Sequence, residues 1–215
     1  MQPELFESPV LFQQRPSDAA TIATSLTRAR HATPEEVAEK VIGHFGTAGR
    51  AFAASETELL RIPGMTRDAV DTMNHIRDVA ISLLSRDAKT APVLSNWVAL
   101  LDYLRASVGH LRTEEARVLY LDRRNRIIAD ESLSRGTVDH CPVYVREVIR
   151  RALQVDASAL ILVHNHPSGD PSPSQADITM TKKLQDAAAA VDITLHDHVI
   201  VTQDEHTSFR SAGLL

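Results

Sequence analysis

The sequence predicts an α/β domain with a sheet at its centre, preceded by a small all-α unit. Helix-period apolar stripes, bounded by caps and interrupted by a Pro-Gly turn, fill residues 33 to 85. Beyond residue 95, strand-like runs alternate with helical periods, which is the pattern of helices packed on a sheet. A polar stretch ending in proline, Ser85 to Pro92, lies between the two regions. With 215 residues, 43% hydrophobic and 24% charged, the chain can bury one substantial core and a smaller companion. The expected divisions are an extended or weakly ordered arm at 1–32, a helical unit at 33–85, a linker at 86–94 and the α/β domain at 95–215.

Residues 1–32 are rich in Gln, Ser, Thr and Arg without a clear period, hence the expectation of an arm. Thr33-Pro34-Glu35-Glu36 reads as a helix start, with Thr33 as N-cap, Pro34 in the first turn and Glu36 closing a capping box ahead of Val37, Val41 and Ile42. Ser55 and Glu58 form a second such box before Leu59 and Leu60. After Ile62-Pro63-Gly64-Met65, a third helix carries Ala69, Met73, Ile76, Val79 and Leu83 at helical spacing. The order helix, Pro-Gly turn, helix is that of a helix-hairpin-helix module, whose turn amides grip a phosphate, so nucleic acid enters as a candidate partner. Two features count against it. Thr66 stands where such a turn has its second glycine, and five basic residues (Lys40, Arg50, Arg61, Arg67, Arg77) face eight acidic ones (Glu35, Glu36, Glu39, Glu56, Glu58, Asp68, Asp71, Asp78).

In the α/β region, Ser95 is placed to cap a helix bearing Val98, Leu101, Leu104 and Val108. Val118–Leu121 and Arg126–Ile128, joined by Asp122-Arg123-Arg124-Asn125, read as a hairpin. A helix is expected over Tyr144–Leu153, a buried strand over Ala159–Val163, a helix from Ser174 to Ala190 and a strand over Ile193–Val201.

The formal net charge of −5 offers no global field for nucleic acid or an anionic membrane. A single cysteine, Cys141, excludes an intramolecular disulfide, and its place beside proline is not that expected of a nucleophile. The first residues lack the basic start and long apolar run of a signal peptide, and no run approaches a membrane span, so the expected compartment is the cytoplasm with no membrane partner.

The chemistry concentrates in Val163-His-Asn-His-Pro-Ser-Gly-Asp-Pro-Ser-Pro-Ser-Gln-Ala-Asp177. His164 and His166 end an apolar strand two residues apart and so point to one side, and Asp177 lies at the start of the next helix. Two neutral nitrogens and one hard oxygen suit one zinc ion, with a fourth position left for water, as in catalytic sites. Ser174, one turn before Asp177, is the helix N-cap candidate and can face that water. Pro167, Pro171 and Pro173 stiffen the loop and Gly169 permits a turn. His196 and His198, two apart on the last strand, are expected to share a face in a structural role.

The spacing His-x-His, seven residues, Ser, two residues, Asp is that of the JAMM, or MPN-plus, metalloprotease site. His-Asn-His-Pro-Ser-Gly-Asp-Pro more narrowly resembles the RadC family, as do Leu121-Asp122, Arg135-Gly136-Thr137, Arg146-Glu147 and Asp197-His198. The resemblance implies a JAMM/MPN-type, cytidine-deaminase-like mixed sheet flanked by helices, and a zinc-dependent hydrolase of a peptide, isopeptide or related amide. It also implies a glutamate before the first core strand that moves the proton from water to the leaving amine. Glu114 fits that position, with Glu115 as the alternative, since adjacent strand residues face opposite ways. Ser174 would then donate to the oxyanion. The family's long-standing label raises the alternative of a DNA-associated accessory protein of repair or recombination with a structural or vestigial metal.

Overall fold

A computed structural model describes residues 17–28, 33–135 and 143–215. Cys141 and the Gly136-Thr137 pair lie outside them. The helical unit comprises α1 (Asp18–Arg28), α2 (Pro34–Phe45), α3 (Ala48–Ala53), α4 (Glu56–Leu59) and the first half of α5 (Arg67–Thr90). Its core gathers Ile22 and Leu26 of α1, Val37 and Val41 of α2, Leu59, Ile62, Val70 and Met73. The arm expected over 1–32 is therefore corrected for residues 18–28, which are helical. Their apolar signal is only Ile22 and Leu26 among Ala, Thr and Ser, too thin to register until neighbouring helices cover it. Asp18 Oδ2 accepts from the Ala48 amide at 2.7 Å, tying α1 to α3.

The capping expectations divide. Ser55 and Glu58 form a complete capping box at the start of α4. Thr33 makes no side-chain cap, so α2 begins on Pro34 alone, whose fixed φ already suits a first turn. Gly64 has φ +94°, and a Cβ there would lie 2.8 Å from Val37 Cγ2, so the turn requires glycine twice over. Thr66 is the N-cap of α5, its hydroxyl accepting from the Ala69 amide at 3.3 Å.

The linker expected at 86–94 is also corrected: α5 runs unbroken to Thr90, followed by a 3₁₀ turn over Val93–Ser95. Its 24 residues span about 36 Å. Ala69, Val70 and Met73 lie in the helical core, whereas Ala88 and the half-buried Ile81 and Leu84 join the core of the next region. The apolar stripe 81-84-88 is hidden in sequence by the polar residues around it. Ser95 is likewise not the cap of α6 (Trp97–Leu104); Asn96 holds that position, and Val98 is 72% exposed.

The sheet has the order β2-β1-β3-β4-β5, from β1 (Glu115–Leu121), β2 (Ile127–Arg135), β3 (Ala159–Asn165), β4 (Thr194–Val201) and β5 (His206–Ser208). β3 and β4 run parallel and the other neighbours antiparallel. The β1–β2 turn is the expected one, with Asp122 Oδ1 accepting from the amides of Arg124 and Arg126 and Asn125 at φ 59°. β5 had no sequence signal beyond three residues. One face, with Leu119, Ile161, Val163 and Val199, packs on α6 and the end of α5. The other, with Val118, Leu160, Leu162 and Leu195, packs on α7 (Val145–Gln154) and α8 (Gln175–Ala189). β3 is buried along its whole length, as a central strand between two helical layers must be. Its period of two places His164 on the α7–α8 face with Leu160 and Leu162.

A candidate metal centre

His164, next to last in β3, lies inside the protein, and His166 follows just beyond the strand, anchored by its amide bonding to Val201 O at 3.1 Å. The chain then turns at Gly169, φ +87°, whose amide bonds back to His166 O. Asp177 comes from the first turn of α8. Its Oδ2 accepts from the Ser174 amide at 2.8 Å and the Ser174 hydroxyl at 2.6 Å, while Ser174 Oγ accepts from the Asp177 amide at 3.1 Å. This is a full capping box, and it holds one carboxylate oxygen while leaving Oδ1 aimed inward.

The three residues expected to act together do converge. His164 Nε2 and His166 Nε2 are 2.8 Å apart, His164 Nε2 lies 3.4 Å from Asp177 Oδ1, and His166 Nε2 lies 3.8 Å from Asp177 Oδ2. One ligand atom from each falls within 4.8 Å of the others. Ligands bonded to zinc at ordinary length sit about 3.3 Å from one another, within the range of these spacings. The donor chemistry also fits. His166 Nδ1 lies 2.8 Å from Asp170 O, and a carbonyl only accepts, so Nδ1 carries a proton and the neutral ring has its lone pair on Nε2. Burial draws His164 down to about 4, only partly offset by Asp177 and reinforced by His166, so its imidazole is neutral.

Glu114 and Glu115 part company. Glu114 lines the same cleft as His164, His166, Ser174 and Asp177. Glu115 is buried on the opposite side, 3.7 Å from the Arg117 guanidinium. Asn165, between the two histidines, went unweighed in the sequence. Fully buried, it accepts from the Glu115 amide at 2.8 Å and donates to Thr113 O at 3.1 Å, fixing the backbone on either side of Glu114. Its signal was its place in the motif: between two residues facing one way, a side chain must face the other.

His196 and His198 do not share a face. The β3–β4 register slips between Leu160/Leu195 and Ile161/Asp197, leaving His196 as the extra residue of a bulge, its Nε2 2.6 Å from Asn125 Oδ1. His198 pairs with Leu162 and is fully buried, with its Nε2 2.7 Å from His164 Nδ1. Asp197 Oδ1 accepts from the amides of His198 and Arg210, and its Oδ2 from the Ser208 hydroxyl, pinning β4 to β5 at this point.

The cleft over the site encloses about 790 Å³, and its far wall comes from the helical unit through His44, Phe45 and Arg50. Arg112, also on its rim, bonds Glu58 of α4 at 2.8 Å. Among the described residues, no helix is long and apolar enough to cross a membrane.

A family model described as a RadC-like JAB domain matches residues 94–214. A UPF0758 protein from Rhodobacter capsulatus is 49% identical over 179 residues, 83% of this chain and 84% of that one. Another, from Ruegeria pomeroyi, is 45% identical over 179 residues, 83% of this chain and 80% of that one. Both alignments are longer than the stretch from residue 94 to the end, so the likeness reaches into the helical unit. With the motif, the mixed sheet and the domain match in agreement, the chain belongs to the family of proteins with a RadC-like JAB domain.

Proposed function

We propose that this protein is a zinc-dependent hydrolase of the JAMM type, acting on a peptide, isopeptide or related amide bond. The observation that carries the reading is the convergence of His164 Nε2, His166 Nε2 and Asp177 Oδ1 in a cleft that Glu114 also lines. His164, His166 and Asp177 would hold the zinc ion, which when bound would supply Lewis-acid polarisation and lower the pKa of water toward neutrality. Glu114 accepts the proton of the attacking water and returns it to the leaving amine. Ser174 holds Asp177 through its capping box; its hydroxyl becomes an oxyanion donor only on turning its proton away from Asp177 Oδ2. The two-walled cleft admits an extended chain between the helical unit and the sheet domain, excluding bulk water from the reacting bond.

The alternative of a DNA-associated accessory protein draws little from the helical turn. The hydroxyl of Thr66 already takes the Ala69 amide that a phosphate would need. The first experiment is elemental analysis of the purified protein beside His166→Ala and Glu114→Gln. About one zinc per chain, lost in His166→Ala and kept in Glu114→Gln, supports an open hydrolytic site and calls for a screen of amide substrates. Carefully prepared wild-type protein without zinc would overturn the hydrolase reading and turn attention to DNA and partner binding.

A further inference from the structure

Behind the proposed ligands lies a chain of hydrogen bonds that the hydrolytic reading does not use. Thr181, buried on α8, places Oγ1 2.6 Å from the main-chain oxygen of Asp177. A carbonyl oxygen only accepts, and a threonine bonding back to the carbonyl four residues earlier on its helix gives its single proton there. The same Oγ1 lies 2.6 Å from His198 Nδ1. With its proton committed, it accepts from Nδ1–H. His198 is fully buried, where a charged ring is costly, so a proton on Nδ1 leaves Nε2 bare. Nε2 is 2.7 Å from His164 Nδ1, so that contact carries the proton of His164 on Nδ1. The neutral His164 ring then has nothing but a lone pair on Nε2, the atom facing His166 and Asp177.

Each direction follows from the one before it, starting from the bond to the helix carbonyl, and the outcome leaves the Nε2 lone pairs of His164 and His166 facing each other at 2.8 Å with no proton between them, an arrangement that favours a bound cation. The chain closes on itself: it begins at the backbone of Asp177 and returns to that residue's carboxylate through His164. The ring of His198 is also held, with Phe209 against it at 4.3 Å between centroids and a 31° tilt and the Asp197 network fixing its backbone. We propose that Thr181 and His198 are positioning residues that hold His164 as its Nδ1–H tautomer and thereby set the metal affinity of the site. The inference rests on the metal-site reading above for its affinity half, whereas its tautomer half stands on the hydrogen bonds alone.

The test pairs two measurements on the full chain: zinc affinity by competition with a chromophoric chelator, and the tautomer of His164 in metal-free protein by ¹⁵N-histidine NMR. Thr181→Val is nearly isosteric and lacks only the hydroxyl, so it keeps the packing. It is expected to weaken zinc by about 10-fold to 100-fold, as loss of a partner behind a ligating imidazole does, and to mix the His164 tautomers. Thr181→Ser should restore both. His198→Gln, whose carbonyl can accept from His164 Nδ1–H, should stay closer to wild type than His198→Phe. Thr181→Val with zinc affinity within about twofold of wild type, or with His164 still wholly Nδ1–H, overturns the proposal. A wild-type chain that takes up no zinc overturns the hydrolase reading and the affinity half here. The NMR comparison of wild type with Thr181→Val then decides the tautomer half by itself.

Discussion

Two capping boxes in this chain use the same local device and end in different chemistry. At α4, Glu58 Oε2 accepts from the Ser55 amide and hydroxyl, and its other oxygen takes the Arg112 guanidinium at 2.8 Å. At α8, Asp177 Oδ2 accepts the same pair of bonds from Ser174, and its other oxygen faces His164 Nε2. The first leftover oxygen ties the helical unit to the sheet domain. The second faces an imidazole nitrogen, with a second imidazole alongside. A capping box therefore orients a carboxylate, and what surrounds its second oxygen decides whether the result is a strut or a candidate metal ligand.

The largest expected effect separates the two boxes outright. Asp177→Asn keeps a capping oxygen but removes the charge proposed to hold zinc, and zinc content by elemental analysis should fall from about one per chain to near zero. Glu58→Gln should leave zinc content unchanged and cost at most about 1 kcal/mol in urea unfolding, because the Arg112 pair is largely exposed. Equal zinc content in both variants would erase the distinction. Asn165→Ala strips two buried hydrogen bonds from the segment holding Glu114. Its expected cost is about 2 kcal/mol of stability, with turnover falling further than zinc content does.

Acid sharpens the contrast from another side. The folded-state values of His164 and His198 are lowered by burial, so the unfolded chain binds more protons below the ordinary histidine value of about 6.5. Stability of the metal-free protein is present in full above that value. It is lost as the pH falls from there toward about 4, the value of His164, by up to about 1.4 kcal/mol per pH unit for each group. Denaturant unfolding of metal-free protein at pH 7 and pH 5 checks this, and a flat profile would contradict neutral burial of the pair. The smallest effect is the one the boxes share. Ser55→Ala and Ser174→Ala should each cost about 1 kcal/mol of helix capping, but only Ser174→Ala should also weaken zinc.

Much of this was legible in the sequence because it is local. Ser174 three residues before Asp177 makes a cap, His-x-His at a strand end makes two side chains face one way, and Pro63-Gly64 makes a turn. Where the reading erred, the cause was distance along the chain. Thr33 is the local exception: it has the right neighbour in Glu36 yet forms no cap, its ψ of 73° falling outside the extended backbone that a cap uses. Ile22 and Leu26 look too sparse for a helix, and Ala88 too polar in company for a core, until remote elements bury them. The period of two that put His196 and His198 on one face failed at a bulge, which depends on the register against β3.

By itself the sequence determined the α/β class, the helical preface and the set His164, His166 and Asp177, since periodicity, caps and motif spacing are properties of consecutive residues. Only the tertiary structure put Glu114 in the cleft and Glu115 on the opposite side, assigned Asn165 to the backbone flanking Glu114, and brought Thr181 and His198 behind His164. Those contacts join β1, β3, β4 and α8 across 17 to 52 residues of sequence. Their partners are selected by strand register and helix packing, which no local pattern encodes.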